Sequence, residues 1–313
     1  MLDPARYRGA LLGVLVGDVF GAPFEGHSGV VPGADIALVQ GGASVLGYTD
    51  DTAMTVAFAE SLIRTGGVDE DDLAAAFAHE WSLCPERGYS SRTAALLSAL
   101  WSGTTWRQAL AAQAAGAARA SNGASMRVVP AALAAGGRIG DAVELARRSA
   151  LVTHTHPGAV AGACVVAAAV AWALRHPAGD PVDPAHLVAA LRAVSDDIVL
   201  DVRLEEAAML WEGGEAAEIA ARLGTGILAS EAVPAAVCAF LSHPYSFPEA
   251  ITLAVSLGGD TDTIAAMTGG IAGALLGESA IPTEWVARAE AAARVRRLAD
   301  GLFSLADQRP AGE

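Results

Sequence analysis

The feature that most constrains this chain is the near absence of any strand pattern. No window alternates apolar and polar residues over a useful length, whereas alanine is abundant and aromatic residues make up only 5% of the sequence. Alanine has the highest intrinsic helix propensity, and an alternation with period two is the signature of a half-buried strand. The sequence therefore predicts an all-α protein whose core is made by packed helices.

Helix start and stop signals recur along the chain and set the expected number of helices. Capping boxes or a proline-led N-cap begin at Thr105, Ser246 and Asp183. Paired glycines, which commonly follow the last turn of a helix, stand at 66–67, 136–137 and 213–214. We predict roughly fifteen helices of about 8–20 residues. Because no linker or change of composition divides the chain, we expect a single domain over residues 1–313, folded as a compact orthogonal multi-helix bundle.

Two predicted helices carry glycine at every fourth position. Glycine costs a helix interior up to about 1 kcal/mol per residue, so a stripe of glycines on one face indicates that another backbone approaches closely. Tight helix packing is the preferred interpretation. The stripes are Gly9, Gly13, Gly17 and Gly21 near one end, and Gly269, Gly273 and Gly277 near the other.

The charged residues exclude several kinds of chemistry. All 20 basic residues are arginine, so no lysine is available for a Walker phosphate loop, a Schiff base or a Ser-x-x-Lys catalytic pair. The formal net charge of -15 argues against nucleic-acid binding, which needs a basic surface to displace counterions from phosphates. We therefore expect no nucleic-acid partner.

Cysteine usage and the apolar segments point to the cytoplasm. Cys84, Cys164 and Cys238 are too few and too widely spaced for a disulfide framework or a zinc site, and we expect them to be small buried apolar residues. No signal-peptide pattern follows Met1. The longest apolar run, residues 158–174, is rich in alanine, so we expect a buried core helix and no membrane span.

Two clusters of carboxylates and hydroxyls each precede an apolar helical run. The first holds two adjacent aspartates, and the second alternates aspartate with threonine after two glycines. Each cluster alone is compatible with capping of a helix N-terminus, where anions complement the helix dipole. The clusters are Tyr48-Thr49-Asp50-Asp51-Thr52 and Gly258-Gly259-Asp260-Thr261-Asp262-Thr263.

Taken together, the two clusters favour a metal site. Carboxylate and hydroxyl oxygens are hard ligands that suit Mg²⁺ or Mn²⁺, and carboxylates from two loops can bridge two such ions about 3.5–4 Å apart. Without cations, four carboxylates crowded into one cleft would repel and raise one another's pKa. Bound metal would remove that penalty.

Three further segments carry polar groups that are weak signals on their own. Glu25 lies in a Gly/Pro turn after the first helix, where a carboxylate is usually solvated. Residues 121–127 offer small residues and free backbone N–H groups before a helix, which suits an anion but is also ordinary turn chemistry. His154 and His156 form a His-x-His pair without an evident third ligand, so hydrogen bonding is favoured over zinc binding.

In this order, the five segments resemble the ADP-ribosylglycohydrolase family, which includes the dinitrogen-reductase-activating glycohydrolases and the ARH proteins. The resemblance spans residues 9–277, and five motifs in register are far more specific than any one of them. The matching residues are Gly9-x-x-x-Gly13-x-x-x-Gly17-Asp18 with Glu25, Thr49-Asp50-Asp51-Thr52, Ser121-Asn122-Gly123-x-x-Met126-Arg127, Thr153-His154, and Gly258-Gly259-Asp260-Thr261-Asp262-Thr263.

The resemblance implies an all-α hydrolase with a central dinuclear cleft for two Mg²⁺ (or Mn²⁺). Its substrate would be an ADP-ribosylated protein or a small ADP-ribosyl compound, cleaved at C1″ to release ADP-ribose. By resemblance, the metal ligands would be Thr49, Asp50, Asp51, Asp260, Asp262 and Thr263. The catalytic residues would be Glu25, Asp51 and Asp260. The substrate-binding residues would be Glu25, Ser121, Asn122, Gly123, Met126 and His154.

Two other functions are compatible with parts of the sequence. An all-α, Mg²⁺-dependent isoprenoid synthase also uses aspartate-rich motifs, but Met54 stands where Asp-Asp-x-x-Asp needs its last aspartate. A non-catalytic ADP-ribose-binding or crystallin-like member of the same fold would be expected to lose metal ligands, yet all six positions are present. The sequence also departs from the family before the 121–127 segment, where Arg119 and Ala120 offer no aromatic ring to stack on adenine. It leaves the acceptor linkage, Mg²⁺ against Mn²⁺ and the oligomeric state open.

Overall fold

The computed structural model describes residues 2–113 and 119–308, which form helices and loops. These ranges contain no sheet and only three isolated β-bridges. The all-α fold predicted from the sequence is therefore confirmed. The α-helices are α1 (Pro4–Gly21), α2 (Gly33–Gln40), α3 (Asp50–Thr65), α4 (Glu70–Leu83), α5 (Ser91–Trp101), α6 (Trp106–Gln113), α7 (Val129–Ala134), α8 (Ile139–Leu151), α9 (Pro157–Arg175), α10 (Pro184–Arg192), α11 (Ile198–Leu210), α12 (Ala216–Leu223), α13 (Ala229–Ser242), α14 (Phe247–Ser256), α15 (Thr261–Leu276), α16 (Thr283–Arg288) and α17 (Ala292–Asp307). Three short 3₁₀ helices cover Ala22–Phe24, Asn122–Ala124 and Glu278–Ala280.

The described ranges contain seventeen α-helices, two more than the fifteen predicted. The difference comes from α7 and α16, which have six residues each and fall below the shortest length that the prediction assumed. Helices this short depend on tertiary contacts, because isolated helices of fewer than about 12 residues are marginal in water. A helix directly after residues 121–127 was predicted, so what the sequence does not show is how short α7 is.

Helices begin at all three predicted positions, and two of the three have the predicted side-chain capping hydrogen bonds. Thr105 forms a complete capping box, since its N–H donates to Gln108 Oε1 at 3.2 Å and its hydroxyl accepts from the Gln108 N–H at 3.3 Å. Asp183 accepts from two N–H groups in the first turn of α10. The capping box predicted at Ser246 is wrong, because α14 begins after Ser246 without a side-chain cap.

The contact between α1 and α15 joins the two glycine stripes backbone to backbone. A Cβ atom placed on Gly9, Gly13 or Gly17 would lie closer than 3.0 Å to backbone atoms of α15 or of the turn after it. A Cβ atom placed on Gly269 or Gly273 would meet the backbone of α1 in the same way. Tight packing, the interpretation favoured from the sequence, is what the stripes achieve.

Gly277 differs from the other glycines of its stripe. It follows the last residue of α15 as the C-cap, with a φ of 80°, a conformation that L side chains rarely adopt. Glycine is needed at this position to end the helix. Within α15 itself, the predicted stripe therefore consists of Gly269 and Gly273 only.

The same contact brings distant parts of the chain to one place. The Thr261 hydroxyl donates to the Gly21 carbonyl at 2.9 Å across a sequence separation of 240 residues. A Cβ atom on Gly21 would meet the Asp262 Cα at 2.5 Å. The second acidic cluster is therefore held against the end of α1. Glu25 follows that end of the helix by four residues.

The hydrophobic core places α9 inside the fold. By length and composition, α9 is the one helix of the described chain that is able to cross a membrane, with a mean hydropathy of 1.9, but 89% of that window is buried in the protein. This agrees with the core helix expected from the sequence. Cys164 and Cys238 are buried as expected, whereas the expectation for Cys84 is wrong: it caps the end of α4 and is only half-buried, because the chain leaves the core there.

We predict that Gly13→Ala destabilises the protein strongly. The added methyl group would collide with the Gly269 backbone, which has no flexible side chain to move aside, so we expect a loss of about 3 kcal/mol in the free energy of unfolding. Chemical denaturation of purified protein measures this loss. The matched control is Gly140→Ala in the first turn of α8, where a Cβ atom meets nothing within 4 Å. That variant should keep or gain stability, by up to about 1 kcal/mol; equal effects of the two substitutions would contradict the packing argument.

Candidate active site

The first acidic cluster forms the N-terminus of α3. Thr49 is the N-cap, and its hydroxyl accepts from the Asp51 N–H at 3.3 Å and lies 3.2 Å from Asp51 Oδ2. Asp50 and Asp51 occupy the first turn, so α3 begins three residues earlier than its apolar run. Helix capping, the alternative interpretation of this cluster, therefore does take place. It uses Thr49, however, and leaves Asp51 Oδ1 buried without a hydrogen-bond partner among the described residues.

Asp18 is the residue that fixes this turn, and it has no role in the site predicted from the sequence. It lies inside α1, is fully buried, and accepts from the N–H groups of Thr49 at 3.1 Å and Thr52 at 3.0 Å. Burial raises the pKa of Asp18 to about 6. The available signal was a single aspartate in the apolar run of residues 9–21, because such a group needs buried partners.

The second acidic cluster starts in a loop that needs two glycines. Gly258 and Gly259 both have a φ of 74°, and a Cβ atom on either would collide with a neighbouring backbone. The Gly259 N–H donates to the His27 carbonyl at 3.0 Å, and the Gly26 N–H donates to the Gly259 carbonyl at 2.8 Å. This loop is therefore paired with the turn that carries Glu25.

Backbone pairing places three carboxylates together. Side-chain oxygens of Glu25, Asp260 and Asp262 all lie within 4.8 Å of one another. Asp260 and Asp262 are only 8% and 4% exposed, whereas Glu25 is exposed. Thr263 is buried, and its N–H donates to Asp262 Oδ1 at 2.9 Å. Glu25 therefore covers the outer side of a buried pair.

The two acidic clusters lie close enough for the charge of each to act on the other. Burial, reinforced by the charge of Asp18, raises the pKa of Asp50 to about 8. Burial, reinforced by the charge of Asp260, raises the pKa of Asp262 to about 9. Burial and the charge of Asp262 raise the pKa of Asp51 well above its usual range. The structure therefore brings together carboxylates more than 200 residues apart in the sequence.

The donor set fits divalent cations. Several carboxylates share a buried space without a cationic side chain bonded to them, and at least one carboxylate oxygen, Asp51 Oδ1, has no partner in the described protein. Isolated buried carboxylates are costly, and oxygen donors of this kind are the ligands that Mg²⁺ and Mn²⁺ prefer. The described residues thus form a candidate metal site.

The 121–127 segment adjoins the acidic clusters directly. Asn122 is buried, and its side-chain amide donates to Asp260 Oδ2 at 2.5 Å. Its N–H donates to the Ile227 carbonyl at 2.9 Å, while Ser121 forms a β-bridge with Leu228. The Asn122 side chain is therefore already engaged in orienting Asp260. Met126 lies in the hydrophobic core.

Arg127 holds this segment against the histidine motif. Its guanidinium group is fully buried and donates to the Gly123 carbonyl at 3.2 Å and to Thr153 Oγ1 at 2.7 Å. It also lies over the Phe77 ring, 4.4 Å from the centroid. Burial lowers the pKa of Arg127 to about 9. Arg127 belongs to the 121–127 motif but was given no role from the sequence. It links that segment to the Thr153-His154 segment.

His154 is a neutral hydrogen-bonding residue. Burial and the nearby charge of Arg127 lower its pKa to about 3. Its Nδ1 lies 2.7 Å from Thr153 Oγ1. Because Thr153 Oγ1 accepts from Arg127, the network favours a hydroxyl proton directed at Nδ1 and a proton on Nε2, which lies beside Gly123. His156 caps α9 by accepting from the Gly158 N–H, so the two histidines do not act as a zinc pair.

A cavity of about 410 Å³ opens beside these residues. This is within the usual range for a small-molecule site. The first turn of α5 and the ends of the 121–127 and 153–157 segments line it. The lining residues are Ser90, Ser91, Arg92, Thr93, Leu96, Gln113, Arg119, Ser121, Thr153, His154, Thr155 and Ile227.

The loop after α4 contacts the first acidic cluster. The Asp50 N–H donates to the Arg87 carbonyl at 2.7 Å, and a Cβ atom on Gly88 would lie 3.5 Å from Asp50 Oδ1. The Arg87 guanidinium donates to the Tyr48 carbonyl and to both carboxylate oxygens of Glu290, and it stacks 3.6 Å from the centroid of the Tyr48 ring. This loop is therefore tied to the metal-site turn.

Comparison with known proteins gives this arrangement a family context. A model of the ADP-ribosylglycohydrolase family matches residues 2–312. The ADP-ribosylhydrolase ARH3 of Xenopus tropicalis is 34% identical over 320 residues, covering 91% of each chain. The ADP-ribosyl-[dinitrogen reductase] glycohydrolase of Rhodospirillum rubrum is 29% identical and covers 96% of each chain. A solved ADP-ribosylglycohydrolase-related protein complex has a TM-score of 0.73 at 28% identity, over 97% of this chain and 98% of that chain.

We predict that the metal-free protein loses stability as the pH rises. An unfolded aspartate has a pKa of about 3.9, whereas burial raises the pKa of Asp50 to about 8 and of Asp262 to about 9. Between these values the unfolded chain binds fewer protons than the folded protein, so the free energy of unfolding falls as pH increases. Mg²⁺ or Mn²⁺ should oppose this loss, because a cation replaces the protons.

Melting curves in chelator and in Mg²⁺, at several pH values from 5 to about 8.5, test this prediction. The difference in Tm between the two conditions should grow with pH. Asp262→Asn should flatten the dependence in chelator, because it removes one of the carboxylates with raised pKa. A chelated protein whose Tm matches that of the Mg²⁺ sample across the range would contradict the metal assignment.

Proposed function

The chain belongs to the ADP-ribosylglycohydrolase family and is an ADP-ribosyl glycohydrolase, and we propose that the facing acidic clusters at α3 and α15 carry out its reaction. The family is metal-dependent. The observation that supports the proposal is the convergence of buried carboxylates from two helix N-termini, with Asp51 Oδ1 left without a protein partner in the described chain. The reaction hydrolyses the C1″ glycosidic bond and releases ADP-ribose.

We propose that the centre holds two Mg²⁺ or Mn²⁺ ions between the two helices. Oxygen donors would come from both sides, since the charges of the two clusters act on each other. The ligands would be Thr49, Asp50 and Asp51 from the start of α3, and Asp260, Asp262 and Thr263 from the start of α15.

The reaction requires groups around the distal ribose that stabilise positive charge and accept a proton from water. Cleavage of a glycosidic bond passes through an oxocarbenium-like centre and needs a positioned water. When bound, divalent cations supply ribose orientation and a lower pKa for that water. Asp51 or Glu25 would take the water's proton. Asp260, whose orientation is set by the Asn122 amide, would stabilise positive charge on the ribose.

The substrate-binding role extends along the 121–127 and 153–157 segments. Neutral His154, with a proton on Nε2, would donate to an oxygen of the substrate from beside Gly123. Ser121 lines the cavity directly. Met126 would act from the core by packing beneath the loop, because it does not line that cavity.

Family membership argues against the isoprenoid synthase alternative. The site also differs from that alternative, because both acidic clusters lie in the first turns of helices, not in helix centres. The scaffold alternative would be expected to lose ligands, yet the described site retains oxygen donors at all six positions. We propose an ADP-ribosylated protein or a small ADP-ribosyl compound as the substrate, with the enzyme acting in the cytoplasm and without nucleic-acid or membrane partners.

We predict that Asp260→Ala lowers metal-dependent release of ADP-ribose by at least about 100-fold, because it removes a ligand that the Asn122 amide orients. Release from arginine-linked, serine-linked and small-molecule ADP-ribosyl substrates, with and without chelator, measures this loss. The same panel identifies the acceptor linkage. Asp307→Ala, at an exposed aspartate at the end of α17, is the matched control and should retain full activity. Undiminished turnover in Asp260→Ala would refute the proposed centre.

A further inference from the structure

The arginines of this chain are almost all occupied. The chain has 20 basic residues, all of them arginine. In the described ranges, twelve arginines form ion pairs with carboxylates. Arg6, Arg127, Arg175 and Arg288 donate to backbone carbonyls instead. A guanidinium group without a partner is therefore unusual in this acidic protein.

Three arginines of the described chain have guanidinium groups that form neither an ion pair nor a hydrogen bond within it: Arg92, Arg119 and Arg297. Arg297 is exposed on α17. Arg92 and Arg119 come from separate parts of the sequence, the first turn of α5 and the end of the segment after α6, and both line the 410 Å³ cavity. Two arginines whose guanidinium groups have no partner in the described chain thus line the same cavity.

The cavity adjoins the acidic clusters. Ser121, which lines it, precedes Asn122, whose amide donates to Asp260. His154, another lining residue, lies beside Gly123, and the charge of Arg92 contributes to its lowered pKa. A substrate whose ribose reached the acidic clusters would therefore extend past Asn122 into the cavity that the two arginines line.

The described lining contains none of the large aromatic side chains. Its twelve described residues include serines and threonines, two arginines and one histidine, with Leu96 and Ile227 as apolar contributors, but no phenylalanine, tyrosine or tryptophan. Stacking on aromatic rings is the usual way to hold a base. Guanidinium groups, in contrast, match phosphate oxygens with paired hydrogen bonds.

We infer that Arg92 and Arg119 clamp the diphosphate of the ADP-ribosyl substrate, so that this enzyme selects the nucleotide part of its substrate by charge more than by its base. The inference rests on the proposed function, because it takes an ADP-ribosyl group as the ligand. The diphosphate carries two negative charges toward a protein of net charge -15, and two free guanidinium groups offset that repulsion locally.

Three variants and their control test the clamp. Binding of free ADP-ribose at a fixed Mg²⁺ concentration is measured by calorimetry for wild type, Arg92→Gln, Arg119→Gln, the double variant and Arg297→Gln. Each cavity substitution should raise the Kd by about 10- to 100-fold, because a hydrogen bond to a charged group is lost. Arg297→Gln, which alters an equally unpaired arginine outside the cavity, should bind as wild type does.

Two further readouts separate charge from stacking. Wild-type affinity should fall as NaCl is raised, and the double variant should show a weaker dependence, because fewer charges are screened. Guanosine diphosphate ribose should bind wild type within about threefold of ADP-ribose, since the described lining offers no phenylalanine, tyrosine or tryptophan to stack on the base. In steady-state assays the cavity variants should raise KM with little change in kcat, as expected when an interaction contributes equally to ground and transition states.

The possible outcomes distinguish the two proposals. Absence of any metal-dependent ADP-ribose binding by wild type would count against the proposed function itself. Wild-type binding that the double variant retains unchanged would overturn the clamp and leave the proposed function standing. A double variant that loses affinity equally for ADP-ribose and for adenosine, which has no phosphate, would show that the arginines stack on the base, and this too would overturn the clamp.

Discussion

The backbone contact between α1 and α15 is the constraint on which the site depends. Side chains normally keep two helices 8–10 Å apart, and here the facing glycines remove that spacing along several turns. The contact fixes Asp18 beneath the first turn of α3 and holds Asp262 against the end of α1. The contact thus fixes the backbone positions from which these carboxylates extend into the cleft.

The acidic centre carries negative charge, whereas the adjoining cavity carries positive charge. The centre contains buried carboxylates whose raised pKa values record the cost of keeping negative charge out of water. The adjoining cavity contains free guanidinium groups and a neutral histidine. Buried Arg127 donates to the Gly123 carbonyl and to Thr153 Oγ1, and so links the 121–127 segment to the segment that carries His154. A ligand with hydroxyls at one end and phosphates in its middle complements that order.

Much of this architecture could be predicted from local sequence, and the rest depended on long-range contacts. The glycine stripes, the Thr105 capping box and the two acidic clusters follow from spacing that a few neighbouring residues carry. The roles of Asp18 and Arg127 could not be predicted in this way, because each acts on residues from another segment. The helices α7 and α16 are shorter than the predicted range for the same reason. The lack of a partner for the Arg92 guanidinium is visible only once the partners of the other arginines are known. Cys84 was misassigned because the sequence does not show where α4 leaves the core.

The 240-residue separation between Gly21 and Thr261 has a consequence for how the chain is made. During translation α1 is made long before α15, the helix that its glycine face contacts. At about 5–20 residues per second, synthesis of the intervening chain takes on the order of 12–50 s, during which the glycine face of α1 lacks its partner helix. The two acidic clusters can meet only after α15 has been made, so a chain that lacks α15 cannot assemble the proposed metal site.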